Sequence, residues 1–313
     1  MADTASIGAM MIPTMKRDGY PAGYAAAITQ CSSIIGPIIP PSTGLVLMGI
    51  YLNASVRKLF LGGMIPGVLM GGFLLVVSYI ISKKRNFPHT PWGGWRNVWE
   101  KGKEGVGAFL LPVIIMICLV CGIGTIVEIG ALSCVFAVAL SYAYKEMSLK
   151  KLGQILMNTT VIIGKVLCVL ASAGTFVWII GSMGVADWIA NRAMTLGVGS
   201  TGVMAFCVIA LFFLGMILDV GVIQMVILPV MAPVILAVGI DPTQFGVLAI
   251  LVSQLGLCTP PVGALIYMTA GIAECSSVEV VKESVPFIAA LLVLIGLLVL
   301  FPQITLLIPN LLT

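Results

Sequence analysis

The chain has 313 residues, of which 60% are hydrophobic and 9% charged, and a mean hydropathy of +1.15. A soluble domain is roughly 45–50% apolar and about 25% charged, so this chain could not cover its surface with polar groups in water. A disordered chain, a collagen-like fibre and a secreted disulfide scaffold fall by the same arithmetic. Long unbroken apolar runs exclude the short alternating segments of an outer-membrane barrel and leave an all-α polytopic membrane protein.

In chain order, residues 4–53 are apolar but repeatedly interrupted by Pro, Gly and Ser. At their start Asp3–Met15 reads as the second arm of a re-entrant hairpin that opens at Lys16. The first clear span is Leu59–Ser82, followed by a loop with Lys83, Lys84, Arg85, Arg96, Lys101 and Lys103 among Trp92, Trp95 and Trp99. Three more spans follow at Val106–Val127, Ile129–Tyr144 and Val161–Ser182. Residues 203–273 form a second interrupted region, and Val285–Ile308 is the last span.

The charges orient these elements. A loop rich in Lys, Arg and Trp belongs on the cytoplasmic side. Crossing by crossing, twelve basic residues (16, 17, 83, 84, 85, 96, 101, 103, 145, 150, 151, 282) then fall inside and three (57, 58, 192) outside. Lys165 snorkels from within its span. For the count to close, residues 203–239 enter and leave on the outer side as a hairpin turning near Asp219. Phe206–Leu218 is too short to cross a roughly 30 Å core at about 1.5 Å per residue. Glu128 reads as an interfacial turn acid, and Asp187 pairs with Arg192 at the outer surface. The net charge of +4 follows from topology, and no nucleic-acid function is read from it.

Few residues are left for chemistry. The eight cysteines lie in or beside apolar runs and act as small hydrophobes, Cys118-x-x-Cys121 included. With His89 as the one histidine, His-based metal clusters and triads are excluded. The 17 methionines read as core or lipid-facing filler.

The two interrupted regions repeat one another. Asp3 is followed by Pro13, Gly19 and Gly36-Pro37-Ile38-Ile39-Pro40-Pro41-Ser42; Asp219 is followed by Pro229, Gly239 and Gly256-Leu257-Cys258-Thr259-Pro260-Pro261-Val262-Gly263. Each half reads as a half-membrane hairpin and a broken span, with opposite orientations. Adjacent prolines remove two N–H donors and free carbonyls upstream, which is costly in hydrocarbon unless something uses them. Broken helices in inverted repeats are how secondary transporters build sites: freed carbonyls hold sodium and half-helix N-termini attract carboxylates. Asp3 and Asp219, buried acids at hairpin turns, would each cost roughly 2.5–3.5 kcal/mol unpartnered, and sodium is their natural partner.

These residues, together with Gly215-Met-Ile-Leu-Asp219 and Gly239-Ile-Asp-Pro242, resemble the large membrane subunit of TRAP transporters, the tripartite ATP-independent periplasmic type. The resemblance runs in order through the whole chain. It implies an elevator-type sodium symporter in the bacterial inner membrane, not an enzyme, with no cofactor beyond coupling sodium ions. Its cargo would be a small organic acid of the C4-dicarboxylate, sialic acid or sugar-acid class. A periplasmic binding protein would deliver that cargo, and a small membrane subunit would be the other partner. Carried over residue by residue, Asp3 with carbonyls near Gly36 and Ile39 would form one sodium site, and Asp219 with Gly256, Thr259 and Val262 the other; Ser42 and Thr43 would contact substrate.

The implied organisation is 1–53 (incomplete first repeat of the transport domain), 54–105 (scaffold span and amphipathic arm), 106–160 (scaffold hairpin and linker), 161–202 (span into the second repeat), 203–273 (second repeat) and 274–313 (C-terminal span). The chain departs from the family's pattern at Val220-Gly221, where Thr or Pro is common. It also starts at Met1, without the Ser-Gly-Ser type tip and earlier helices that precede Asp3 in the family, so an internal start is expected. A truncated, non-transporting fragment or assembly subunit is the competing reading. A membrane enzyme or redox subunit would need histidines, paired carboxylates or a cofactor motif at membrane depth.

Overall fold

The computed structural model describes residues 2–88, 94–145, 147–184 and 199–312, and among them every regular element is a helix. His89, Trp92, Asp187 and Arg192 lie outside the described residues, as do the side chains of Asp3 and Lys165. The chain divides into two compact units, Thr90–Phe176 and the remainder (Met1–His89 with Val177–Thr313).

The smaller unit contains α5 (Gly94–Val120), α6 (Ile126–Ala143) and most of α7 (Leu149–Ser182). The amphipathic arm and the next span, expected as separate pieces, are one helix, kinked at most by Pro112. α7 likewise begins well before the expected Val161, because nothing from Leu149 to Ser182 is a proline and the Ser148 hydroxyl accepts the Lys151 N–H. Glu128 is exposed in a capping box: it accepts the Thr125 N–H at 2.6 Å while its own N–H donates to the Thr125 hydroxyl.

The larger unit holds α1 (Ala2–Arg17), α2 (Ala22–Ser33), α3 (Thr43–Tyr51) and α4 (Val56–Arg85), then α8 (Ser200–Gly215), α9 (Val220–Ala237), α10 (Pro242–Gly256), α11 (Ala264–Ala273), α12 (Ser277–Leu300) and α13 (Pro302–Leu312). α1–α4 and α9–α12 repeat one pattern: a helix, a broken helix whose halves flank a cis Pro–Pro bond (Pro40–Pro41, Pro260–Pro261), and a long helix capped by Ser55 or Ser276. Hydrogen bonds repeat at the same offset of 220 residues. Tyr24 on α2 bonds Ser78 on α4 at 2.8 Å, and the Gln244 amide on α10 donates to the Leu298 carbonyl on α12 at 3.1 Å.

Contacts show that the repeat is inverted. The start of α2 meets the start of α12 (Gly23 N–H to Glu279, 3.3 Å) and the end of α4 (Tyr24 to Ser78). The start of α10 meets the end of α12 (Gln244 to Leu298) and the start of α4, where Thr243 lies against Gly62. Arg85 at the end of α4 pairs with Glu283 near the start of α12 at 2.8 Å, so these two long helices are antiparallel. α2 and α10 therefore enter from opposite sides. At about 18 and 22 Å each stops within a roughly 30 Å core, and the breaks meet where the Cys258 thiol contacts the Gln30 carbonyl at 3.6 Å.

The hairpin arms follow the same frame. Thr4 bonds Ser33 and Gly8 faces Thr29, so α1 is antiparallel to α2 and ends on the side of Lys16, Arg17 and Arg85. Gly215 at the end of α8 abuts Gly256 at the end of α10, placing the turn Met216–Asp219 at break level. α9 is longer than a half-membrane arm: with α4 and α12 it is one of three described helices long and apolar enough to cross a membrane. It absorbs Pro229, which crowds the carbonyl of Met225, through a π-turn at Ile223–Ile227. The last span ends at Leu300 rather than at the expected Ile308; Phe301 leaves helical geometry and Pro302, without an N–H, starts α13. α1, α2, α11 and α12 bury Ile12, Ala25, Ala26, Ile266, Ala270, Ala273 and Val280 in one shared core.

Candidate functional site

A recess of about 400 Å³ opens where the turn before α9 meets the first break, lined by Pro37, Thr43, Gly44, Asp219, Val220, Gly221, Gln224, Gln254 and Leu257. Two helix N-termini converge on it. Asp219 caps α9, its carboxylate accepting the Gly221 N–H at 2.7 Å. Gly221 leaves room for this: a Cβ there would stand 3.0 Å from the carboxylate oxygen. Ser42 caps α3, accepting the Leu45 N–H at 3.2 Å and donating to the Pro37 carbonyl.

The caps differ in charge. The positive end of α9 faces its own carboxylate, whereas the positive end of α3 faces a neutral hydroxyl. The Thr43 and Gly44 N–H groups are among the first-turn donors that an α-helix leaves unpaired. A carboxylate is favoured at α3 and a cation at Asp219.

Asp219 and Thr43 thus lie in one recess. Asp219 is exposed to it rather than buried as expected, because the turn projects its carboxylate into the opening. Ser42 is 4% exposed and committed to its cap, so its hydroxyl holds α3 rather than facing the recess. Gly36 and Ile39 sit in the first break, with Ile39 packed over Gly67 of α4. Gly256 packs on Gly215; the Thr259 hydroxyl donates to the Leu255 carbonyl at 2.9 Å; Val262 is exposed. The second break is tied to the Asp219 turn through the Gly263 N–H, which donates to the Met216 carbonyl at 3.1 Å. Asp3 belongs to α1, near Ser33 through its neighbour Thr4.

Residues 1–304 match the model of the tripartite ATP-independent periplasmic transporter family, DctM component. The chain belongs to this family. As a DctM-family protein it is a polytopic membrane protein of a transporter. Relatives include the sialic acid TRAP transporter large permease protein SiaM of Vibrio cholerae, 32% identical over 99% of this chain and 73% of that one. The sialic acid TRAP transporter permease protein SiaT of Haemophilus influenzae is 31% identical over all of this chain and 51% of its own length. The 2,3-diketo-L-gulonate TRAP transporter large permease protein YiaN of Escherichia coli is 30% identical over 96% of this chain and 70% of its own.

The DctM-type chain also carries polar residues in its site that spacing did not single out: Gln224 and Gln254 in the recess, and Gln30, fully buried at the junction of the breaks. Their signal was available, since an uncharged amide inside an apolar, proline-broken segment is as unusual there as an acid.

Proposed function

We propose that the chain is the substrate-translocating subunit of a sodium-coupled transporter for a small organic acid of the C4-dicarboxylate, sialic acid or sugar-acid class. The carrying observation is the pairing of a neutral-capped N-terminus and a carboxylate in one recess between two inverted broken helices. The organic anion binds at the first turn of α3, with Thr43 beside it. Sodium, as co-transported cargo, binds at Asp219 with backbone oxygens near Gly256, Thr259 and Val262, and at Asp3 with those near Gly36 and Ile39. Carbonyls supply most of the ligands because a monovalent hard cation needs oxygen dipoles rather than a cluster of charges.

Residues 1–53 and 203–273 form the moving domain of an elevator in the inner membrane, braced by spans such as Leu59–Ser82 of α4. A soluble periplasmic protein delivers substrate and a small membrane subunit completes the assembly, as the word tripartite in the family's description suggests. Uptake into proteoliposomes by the complete transporter, with its binding protein, should require an inward sodium gradient and be lost in Asp219→Ala. Sodium-independent uptake by the wild-type complex would refute the coupling.

A further inference from the structure

Two amides in the recess, those of Gln224 and Gln254, make no hydrogen bond among the described residues, and Gln224 is the more buried, at 6% exposed. The Gln224 amide itself is open to the recess, so a ligand that fills the recess must offer it a donor or acceptor or leave it unsatisfied. Gln224 also lies in the π-turn of α9, a geometry that re-aims side chains and recurs at functional positions. Gly44 is the residue beneath it: a Cβ there would stand 2.8 Å from the Gln224 amide nitrogen. The amide therefore rests against the first turn of α3, beside the open Thr43 and Gly44 N–H groups. Gln254 lines the same recess, and among its described lining residues Asp219 is the one charged group.

We infer that Gln224 is a specificity-determining residue that reads a hydroxyl or carbonyl next to the substrate carboxylate, so that the site prefers hydroxylated monocarboxylates to dicarboxylates. The inference rests on the transport reading, with the carboxylate at α3. An amide offers a donor and an acceptor together, which matches a hydroxyl. A second carboxylate in this recess would meet neutral amides and the acid of Asp219, without a basic side chain to offset its desolvation. The amide is thus suited to the uncharged, oxygen-bearing part of a sugar-acid-like ligand.

Thermal unfolding of the purified complete transporter in sodium, titrated with gluconate, propionate or succinate, separates the possibilities. Gluconate should stabilise the wild type at about tenfold lower concentration than propionate or succinate, as one or two added hydrogen bonds would give. Gln224→Met, which keeps length and volume, should bring gluconate to the level of propionate and leave propionate within about twofold of wild type. Gly44→Ala, which keeps the amide but intrudes on it, should act in the same direction. Succinate stabilising as well as gluconate, or Gln224→Met weakening gluconate and propionate alike, overturns the inference, as does an intact gluconate preference in both variants. If no carboxylate stabilises the folded wild type, the transport reading itself fails.

Discussion

Gly215 and Gly256 bring the end of α8 and the end of α10 into backbone contact, and this approach holds the Asp219 turn at break level. A Cβ on Gly256 would lie 2.6 Å from the Gly215 Cα, and one on Gly215 would lie 2.7 Å from the Ser253 carbonyl oxygen. Neither obstacle is a flexible side chain, so Gly256→Ala must part the two helices. The expected loss is about 1–3 kcal/mol, typical of overpacking. It should be read as a lower unfolding temperature in detergent together with weaker sodium protection. Gly296→Ala is the control: beyond its own helix backbone, no atom of the described residues lies within 4 Å of the added methyl, and the helix propensity of alanine should leave stability unchanged or slightly higher. At this scale the acids and the Pro–Pro pairs were legible from spacing, because charge and proline are rare in hydrocarbon. The glycine contact was not, since a glycine in an apolar run looks the same whether it faces lipid or another backbone.

The broken helices need something to hold their halves in register, and Gln30 does this. Its amide nitrogen donates to the Ser284 hydroxyl on α12 at 2.6 Å, and its amide oxygen accepts from Thr269 on α11 at 3.3 Å. Its own carbonyl receives the Cys258 thiol just past α10. One residue of the first repeat thus bonds three segments of the second, while Ser284 and Thr269 also bond carbonyls of their own helices. Gln30→Leu keeps the volume and removes both amide bonds. We expect a loss of about 1 kcal/mol, modest because polar contacts inside membranes are worth little more than in water. Amide exchange by mass spectrometry should show faster exchange in α11 and around the second break, with α5 and α6 unaffected. Unchanged protection in α11 would remove Gln30 from this role. Helix boundaries were less readable than helix existence. α5 and α7 run on where charge suggested loops, because basic residues interrupt hydropathy without interrupting helical hydrogen bonding.

For the molecule as a whole, the inverted repeat makes the two ends of α4 a topology test. Lys16, Arg17, Arg85 and Lys282 gather on one side, with Arg57 and Lys58 on the other. Cys275, in the turn between α11 and α12, lies on the first side, where the Lys16 ammonium donates to the neighbouring Ala273 carbonyl at 2.7 Å. In a variant whose other cysteines are replaced, Cys275 should react with an impermeant maleimide in inside-out vesicles and not in whole spheroplasts, while Asn53→Cys should do the opposite. Burial pushes the Cys275 thiol above its ordinary range, Glu279 adds to this and Lys16 opposes it. The thiolate is the reactive form, so labelling should be slow at neutral pH and accelerate as pH rises, later than for a free thiol. Labelling from the opposite side would reverse the assigned orientation.

The sequence by itself determined the class of the protein, because 9% charge cannot clothe a soluble surface. It also determined the repeat, because paired prolines and acids at matching intervals are costly in a membrane without a use. The tertiary structure alone decided which elements share a site: Asp219 of the second repeat opens beside Thr43 and Gly44 of the first, since α2 and α10 enter from opposite sides and their broken ends meet. It also decided that Ser42 is a cap and that Gln224 faces the recess. Neither follows from spacing, because the direction of a side chain at a helix break is set by the turn geometry around it and by the neighbours that the fold brings close.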